Sequence, residues 1–350
     1  MQMTPRERVR AALRFQSPDR IPRDLWTLPW AERQFPDELA EIRRRFPPDI
    51  VTAPSPMLRS PRVSGDWYTP GTYIDEWGCR FHNIQAGAIG EVRDPMLTEI
   101  ARWREVIPPY ETFPANRRMA IEEVNAFCRT TDAFVLAEAC PRPWERYQFL
   151  RGSANAMMDI ATMEEGVSEL LDVLQKYYMN ELDFWTATEV DGVKFMDDWG
   201  AQHQLLISPA LWRKIFKPLY REYVEIAHAR GKFIFMHSDG HIEQILPDIA
   251  EIGIDAVNSQ LFCMDLERIA GSVKGKITFW GEIDRQHVLT STDPDEGRRA
   301  VRDVARHLYD PRGGIIAQLE FGLAANPQVV TAVYDEWERI SAGYRGRGLS

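Results

Sequence analysis

Short apolar runs alternate with amphipathic helices about eight times along this chain, and no other feature restricts its fold as strongly. The runs at 24–26, 49–52, 133–138, 193–196, 233–236, 255–258, 277–280 and 313–317 read as buried strands. Helical patterns separate most of them. Strands joined through helices are parallel, because a parallel pair needs a crossover of a dozen or more residues. Eight such units predict closure into a TIM-type (β/α)8 barrel. The alternative, an open doubly wound sheet, has no support from a G-x-G-x-x-G or P-loop sequence.

The chain has 350 residues, 44% of them hydrophobic, enough for one large core. We expect a single barrel domain over residues 1–350. Residues 53–94 break the pattern with frequent Pro and Gly and with aromatics alternating with polar residues. The 72–81 segment reads as a β-hairpin, so 53–94 is expected to be a hairpin-containing insertion that covers the barrel mouth. Thr4 and Pro5 cap a first helix, and 163–188 is a long amphipathic one. Pro218 is expected to kink or break the helix that starts at Ser208-Pro209, and the Ile and Leu pattern at 242–252 marks another helix.

The net charge is −10 and the arginines are scattered, which argues against nucleic acid as a partner. No apolar run is long enough to span a bilayer, so no membrane partner is expected. Residues 1–19 are too polar for a signal peptide. Four cysteines lie far apart without a CxxC pair, which predicts no disulfide framework and a cytoplasmic setting.

Chemistry in such a barrel sits at the C-terminal ends of the strands. The polar residues there are Glu138, Asp197, Asp198, His237, Asp239, Asn258, Glu282, Asp284, Gln318 and Glu320. Carboxylates gathered around one pocket call for a cation. The decapeptide GKFIFMHSDG at 231–240 has a buried strand ending in His237 and Asp239, two residues apart. With Glu320 they make an N/O/O set that suits zinc with an open position. The alternative for Glu320 is a salt bridge with a rim arginine. Asp197 and Asp198 are adjacent, so at most one of them is expected to face the pocket; the alternative for Asp198 is to cap the following turn. Glu282 and Asp284 are two apart and are expected to face inward together, as acid/base, substrate anchor or outer support of a metal. Trp26, Tyr73, Trp77, Trp144 and Trp199 fall in rim segments, where aromatics could line a cavity for a flat ligand. His82, His203, His241 and His287 read as structural.

Several of these stretches resemble the uroporphyrinogen decarboxylase superfamily. They are DDWGAQHQLLISPALWRKIFKPLYREYVEIAHARGKFIFMHSDGHIEQILPDIAEIGIDAVNSQ, the opening TPRERVRAALRFQSPDRIP, YIDEWG, FWGEIDRQHVL and GGIIA. The resemblance implies a TIM-type barrel and leaves two branches. The metal-free decarboxylases carry an arginine-rich loop near the N-terminus. Here the corresponding stretch reads RIPRDLWTLPW, with only Arg20 and Arg23. The cobalamin-dependent methyltransferases hold zinc with a His-x-Cys pair and a later Cys. His237 matches that His, and Asp239 and Glu320 stand where the two Cys are expected.

The chain is therefore closer to the methyltransferase branch, with oxygen in place of both sulfurs. The resemblance implies zinc on His237, Asp239 and Glu320, and a corrinoid (cobalamin) that interacts through Trp199 and Asn258. Asp198, Glu282 or Tyr73 would supply a proton to the departing oxygen. The expected activity is O-demethylation of a small, possibly aromatic, methoxylated methyl donor. No DxHxxG signature of a corrinoid domain is present, so a separate corrinoid protein is the expected partner. A homodimer is left open. The alternatives are a decarboxylase of a porphyrinogen or a smaller carboxylic acid, and a non-catalytic tetrapyrrole-binding barrel.

Overall fold

The computed structural model describes residues 2–345 apart from 88 and 140. Eight parallel strands form the central sheet: β1 (Arg23–Thr27), β2 (Ile50–Thr52), β3 (Phe134–Glu138), β4 (Gly192–Met196), β5 (Phe233–Ser238), β6 (Ala256–Ser259), β7 (Thr278–Trp280) and β8 (Ile315–Phe321). Each strand from β2 to β8 pairs with the next in sequence, and β8 pairs with β1. At the remaining seam between β1 and β2 the Asp49 N–H donates to the Arg23 carbonyl at 2.8 Å. The expected (β/α)8 barrel is what the chain forms.

Side chains alternate across each strand and so sort into two cores. Ile50, Phe134, Leu136, Phe233, Phe235, Ala256, Trp280 and Ile316 fill the lumen. Val9 and Leu13 of the first helix, Pro5–Leu13, join them. The outward residues Val135, Val193, Phe195, Ile234, Met236 and Val257 pack under the ring of helices. The first helix starts where Thr4 and Glu7 cap one another's backbone reciprocally.

Three expectations need adjustment. The helix Pro209–Ala229 runs through Pro218 without a break. Its buried face of Trp212, Phe216, Tyr220, Tyr223 and Val224 supplies packing that outweighs one lost hydrogen bond. The helix expected at 242–252 begins only at Leu246. Strand β8 continues to Phe321, so Glu320 lies on the strand and not after it.

Gly71–Ile74, Arg80–Asn83 and Glu91–Val92 form a separate antiparallel sheet. Arg146, on the helix Pro143–Arg151, ties it down through Asp75 and through Glu76 Oε1 at 3.1 Å. Asp75 and Glu76 are adjacent, and both are used by this one arginine. Cys79, Cys128 and Cys263 are free thiols. Cys140 lies outside the described residues. Among the described residues no helix is long and apolar enough to cross a membrane.

Candidate metal centre

The centre is built where β4 and β5 end. Lys194 and Met196 alternate inward on β4, and Asp198 continues that parity. Phe233 and Phe235 do the same on β5 and lead to His237. The two turns that follow touch backbone to backbone. The Gly200 N–H donates to the Asp239 carbonyl at 3.0 Å. A Cβ on Gly200 or on Gly240 would fall 2.2 Å from the other turn's backbone. Gly240 also has φ +76°, in the left-handed region. The two glycines therefore allow the close approach that brings Asp198 and Asp239 together. The Asp239 N–H completes it by donating to Asp198 Oδ1 at 2.8 Å.

His237 stands between the two carboxylates. Its Nε2 is 3.6 Å from Asp198 Oδ1 and 3.5 Å from Asp239 Oδ1. Its Nδ1 is 2.6 Å from Asn258 Oδ1. The Asn258 amide nitrogen donates to the Trp280 carbonyl and to Gln318 Oε1, so its oxygen is left to accept. Nδ1 of the imidazole therefore donates to Asn258, which turns Nε2 toward the two carboxylate oxygens. Asp239 Oδ1 is buried and has no hydrogen-bond partner. A ring nitrogen and two carboxylate oxygens in this arrangement call for a positive charge among them, a proton or a metal ion. One ligand atom from each of the three residues falls within 4.8 Å of the others. The donor set fits a divalent metal of zinc type, and Asn258 is the outer partner that orients a ligating imidazole.

The electrostatics agree with a cation-seeking site. Burial raises the pKa of Asp198, and the Asp239 charge adds to the shift against the opposing effect of His237. Burial pushes Glu282 up to about 8, and burial also raises Glu320. The guanidinium of Arg285 enters this group. Its Nη2 binds Asp239 Oδ2, and its Nη1 lies 3.6 Å from Glu282 Oε1 and 3.5 Å from Glu320 Oε1. The structure thus brings His237 and Asp239 together, adds Asp198 to them, and sets Glu320 on an arginine. A cavity of about 200 Å³ opens beside Glu282 and Arg285, walled by Gln202, Gln260, Phe262 and Cys263.

Other expected site residues lie elsewhere. Asp197 is fully buried and accepts from the Trp144 and Glu145 N–H groups and from the Tyr220 hydroxyl. Asp284 accepts from the Gln286 and His287 N–H groups and so caps a turn, and only Glu282 of that pair is buried in the group. Tyr73 packs edge-on against Trp67 at 4.6 Å and lines a second cavity with Arg142, Arg146 and Glu181. Trp199 is completely buried. It stacks on Trp144 at 5.3 Å and donates to Tyr220, which leaves no ring face for a cofactor. Asn258 serves His237. Trp26 does reach the centre, with its ring 5.5 Å from that of His237. Arg20 and Arg23 bind Asp49 and Glu338 near the N-terminal ends of β1 and β2.

Two residues of the site carry no motif in the sequence. Arg285 sits in an aperiodic turn. Lys194 reads as part of a buried strand. Its ammonium lies 4.8 Å over the Trp26 ring and 2.6 Å from Glu138 Oε1. Strand parity was the available signal, because Lys194 shares a face with Met196 and Asp198.

A comparison with curated protein sequences finds no match. Solved structures with the same fold include a methyltransferase from Methanosarcina mazei, which superposes with a TM-score of 0.69 at 14% sequence identity. That match covers 97% of this chain and 99% of the other. The family model described as uroporphyrinogen decarboxylase (URO-D) matches residues 85–337, well over half of the sequence, and includes Asp198, His237, Asp239, Asn258, Glu282, Arg285 and Glu320. The chain belongs to the uroporphyrinogen decarboxylase family.

Proposed function

We propose that the protein is a metal-dependent methyltransferase of this family. It would take a methyl group from a small methoxylated donor and pass it to a corrinoid carried by a separate protein. The observation that carries the reading is Nε2 of His237, oriented by Asn258 toward Asp198 Oδ1 and the unpartnered Asp239 Oδ1. The solved structure with the same fold is itself named a methyltransferase.

Asp198, His237 and Asp239 would hold the metal, with zinc the family expectation. Bound there, it would supply a Lewis acid for the oxygen of a methoxy or alcohol group. The chain's own residues do the rest. Glu282, protonated up to about pH 8, is a proton source for the departing oxygen. The cavity beside Glu282 has room for a small donor and none for a tetrapyrrole. Phe262 on the wall of that cavity favours a flat substrate. The site mainly positions the donor and stabilises its leaving group.

The test is metal content by elemental mass spectrometry, followed by methyl transfer from a panel of methoxylated aromatics to a free corrinoid. We expect about one zinc per chain from a single three-ligand site, with loss of both metal and transfer in His237→Ala. Carbon dioxide release from a porphyrinogen by protein without metal would replace this reading with decarboxylation.

A further inference from the structure

We propose that Arg285 is a positioning residue that fixes which carboxylates reach the metal. It holds Asp239 by the oxygen turned away from His237, and it withholds Glu320, so one coordination position stays open for substrate. The inference rests on the metal-centre reading above.

The geometry gives each guanidinium nitrogen a task. Nη2 takes Asp239 Oδ2, which leaves Oδ1 as the oxygen 3.5 Å from His237 Nε2. Asp239 is thereby presented through one oxygen. Nη1 lies between Glu282 and Glu320, at 3.6 and 3.5 Å. The three carboxylates come from the ends of β5, β7 and β8, so a single fork spans three strand ends. Glu320 pairs in register with Trp26, whose ring adjoins His237, and so it approaches the same lumen. Among the described residues its ion pair is with Arg285.

Without the guanidinium, the charges of Asp239 and Glu320 would face one another without that counter-charge. The metal would then be the nearest cation, and Glu320 could close the open position as a fourth ligand. A lysine could not substitute, because a single ammonium does not hold two carboxylates on two separate nitrogens.

The experiment loads the full chain with Co²⁺ in place of zinc. It records the visible ligand-field spectrum, whose intensity reports coordination number, together with Co²⁺ affinity by competition with a chelator. Glu320→Gln is expected to leave the spectrum as in wild type. Arg285→Gln is expected to change the spectrum and tighten binding by about tenfold or more, the scale on which outer partners tune a metal site. Arg285→Gln/Glu320→Gln should restore the wild-type spectrum, and Arg285→Gln/Glu282→Gln should not. The second double variant separates a new Glu320 ligand from a general change of charge.

A changed spectrum in Glu320→Gln alone would mean that Glu320 already ligates, and the proposal falls. So does an unchanged spectrum in Arg285→Gln. Because Glu320→Gln is compared directly with wild type, the proposal stays testable even where an Arg285 variant does not fold. A wild-type protein that takes up no Co²⁺ would overturn the metal-centre reading and this inference with it. Co²⁺ uptake with the wrong spectral pattern overturns only the inference.

Discussion

The imidazole of His237 is set by one amide. Asn258 is fully buried, and its nitrogen is committed to Trp280 and Gln318, so its oxygen can only accept. Replacing it with leucine of similar size removes that acceptor. The His237 ring then loses both its fixed tautomer and its orientation. Asn258→Leu should weaken zinc binding by about 10–100-fold, as measured by chelator competition. Loss of an outer partner predicts weaker binding with one metal per chain retained at saturation. Loss of stoichiometry at saturating zinc would instead mean that Asn258 is itself a ligand. The same reasoning shows what could be read without a structure. His237 and Asp239 were legible because a strand of four apolar residues ends on them. Arg285 was not, because a turn residue has no periodicity and its three partners come from strands far apart in sequence.

At the scale of elements, the adjacent pair Asp197 and Asp198 divides two kinds of work by strand parity. Val193 and Phe195 point outward on β4, and Asp197 follows them into the helical layer. It receives the first N–H groups of the helix Pro143–Arg151 and the Tyr220 hydroxyl. Asp198 follows Lys194 and Met196 inward. That at most one of the pair faces the pocket was legible from adjacency, but the cap considered for Asp198 is made by Asp197. Extending the parity of β4 by two residues would have named which one. The Glu320 position shows the complementary failure, since an early end to the strand hid the fact that Ile316, Gln318 and Glu320 share its inner face.

The division has measurable consequences. Asp197→Ala deletes a helix cap and a buried acceptor, which should cost about 3 kcal/mol in urea unfolding near pH 5 while metal uptake survives. Asp198→Asn should do the reverse, abolishing uptake with little change in the midpoint. Burial holds the Asp197 carboxyl near 7, well above its ordinary 3.8, so the folded chain keeps a proton that the unfolded chain has lost between about pH 4 and 7. Stability from this group therefore falls as pH rises through that window. The cost of Asp197→Ala should shrink with it, and a cost that grows from pH 5 to pH 8 would contradict the assignment.

Across the whole molecule, the charged groups separate along the barrel axis. The C-terminal mouth gathers Asp198, Asp239, Glu282 and Glu320 around one guanidinium. At the other end the stoichiometry is inverted, with Asp49 receiving Arg8 at 2.5 Å, Arg20 at 2.7 Å and the Arg23 N–H at 2.7 Å. Its side chain is 1% exposed, and that of Arg8 only 4%. This carboxylate also sits at the seam where β1 and β2 meet, so it closes the ring and neutralises two buried cations together. Arg20 and Arg23 are tied up at this end and cannot serve a substrate at the mouth. Removing the carboxylate would leave Arg8 with Asp19 as its remaining counter-charge and would take from Arg20 its ion pair with Asp49, a change that costs up to about 3–5 kcal/mol when a buried pair is broken. Asp49→Asn should therefore lower the urea midpoint sharply while the folded fraction still binds one metal with unchanged affinity. The barrel would then have a stability end and a chemistry end that can be mutated independently, as expected when catalytic groups occupy only the C-terminal face. Metal affinity that falls together with the midpoint in Asp49→Asn would show that the seam transmits strain to the mouth, and the two ends would have to be treated as one coupled unit.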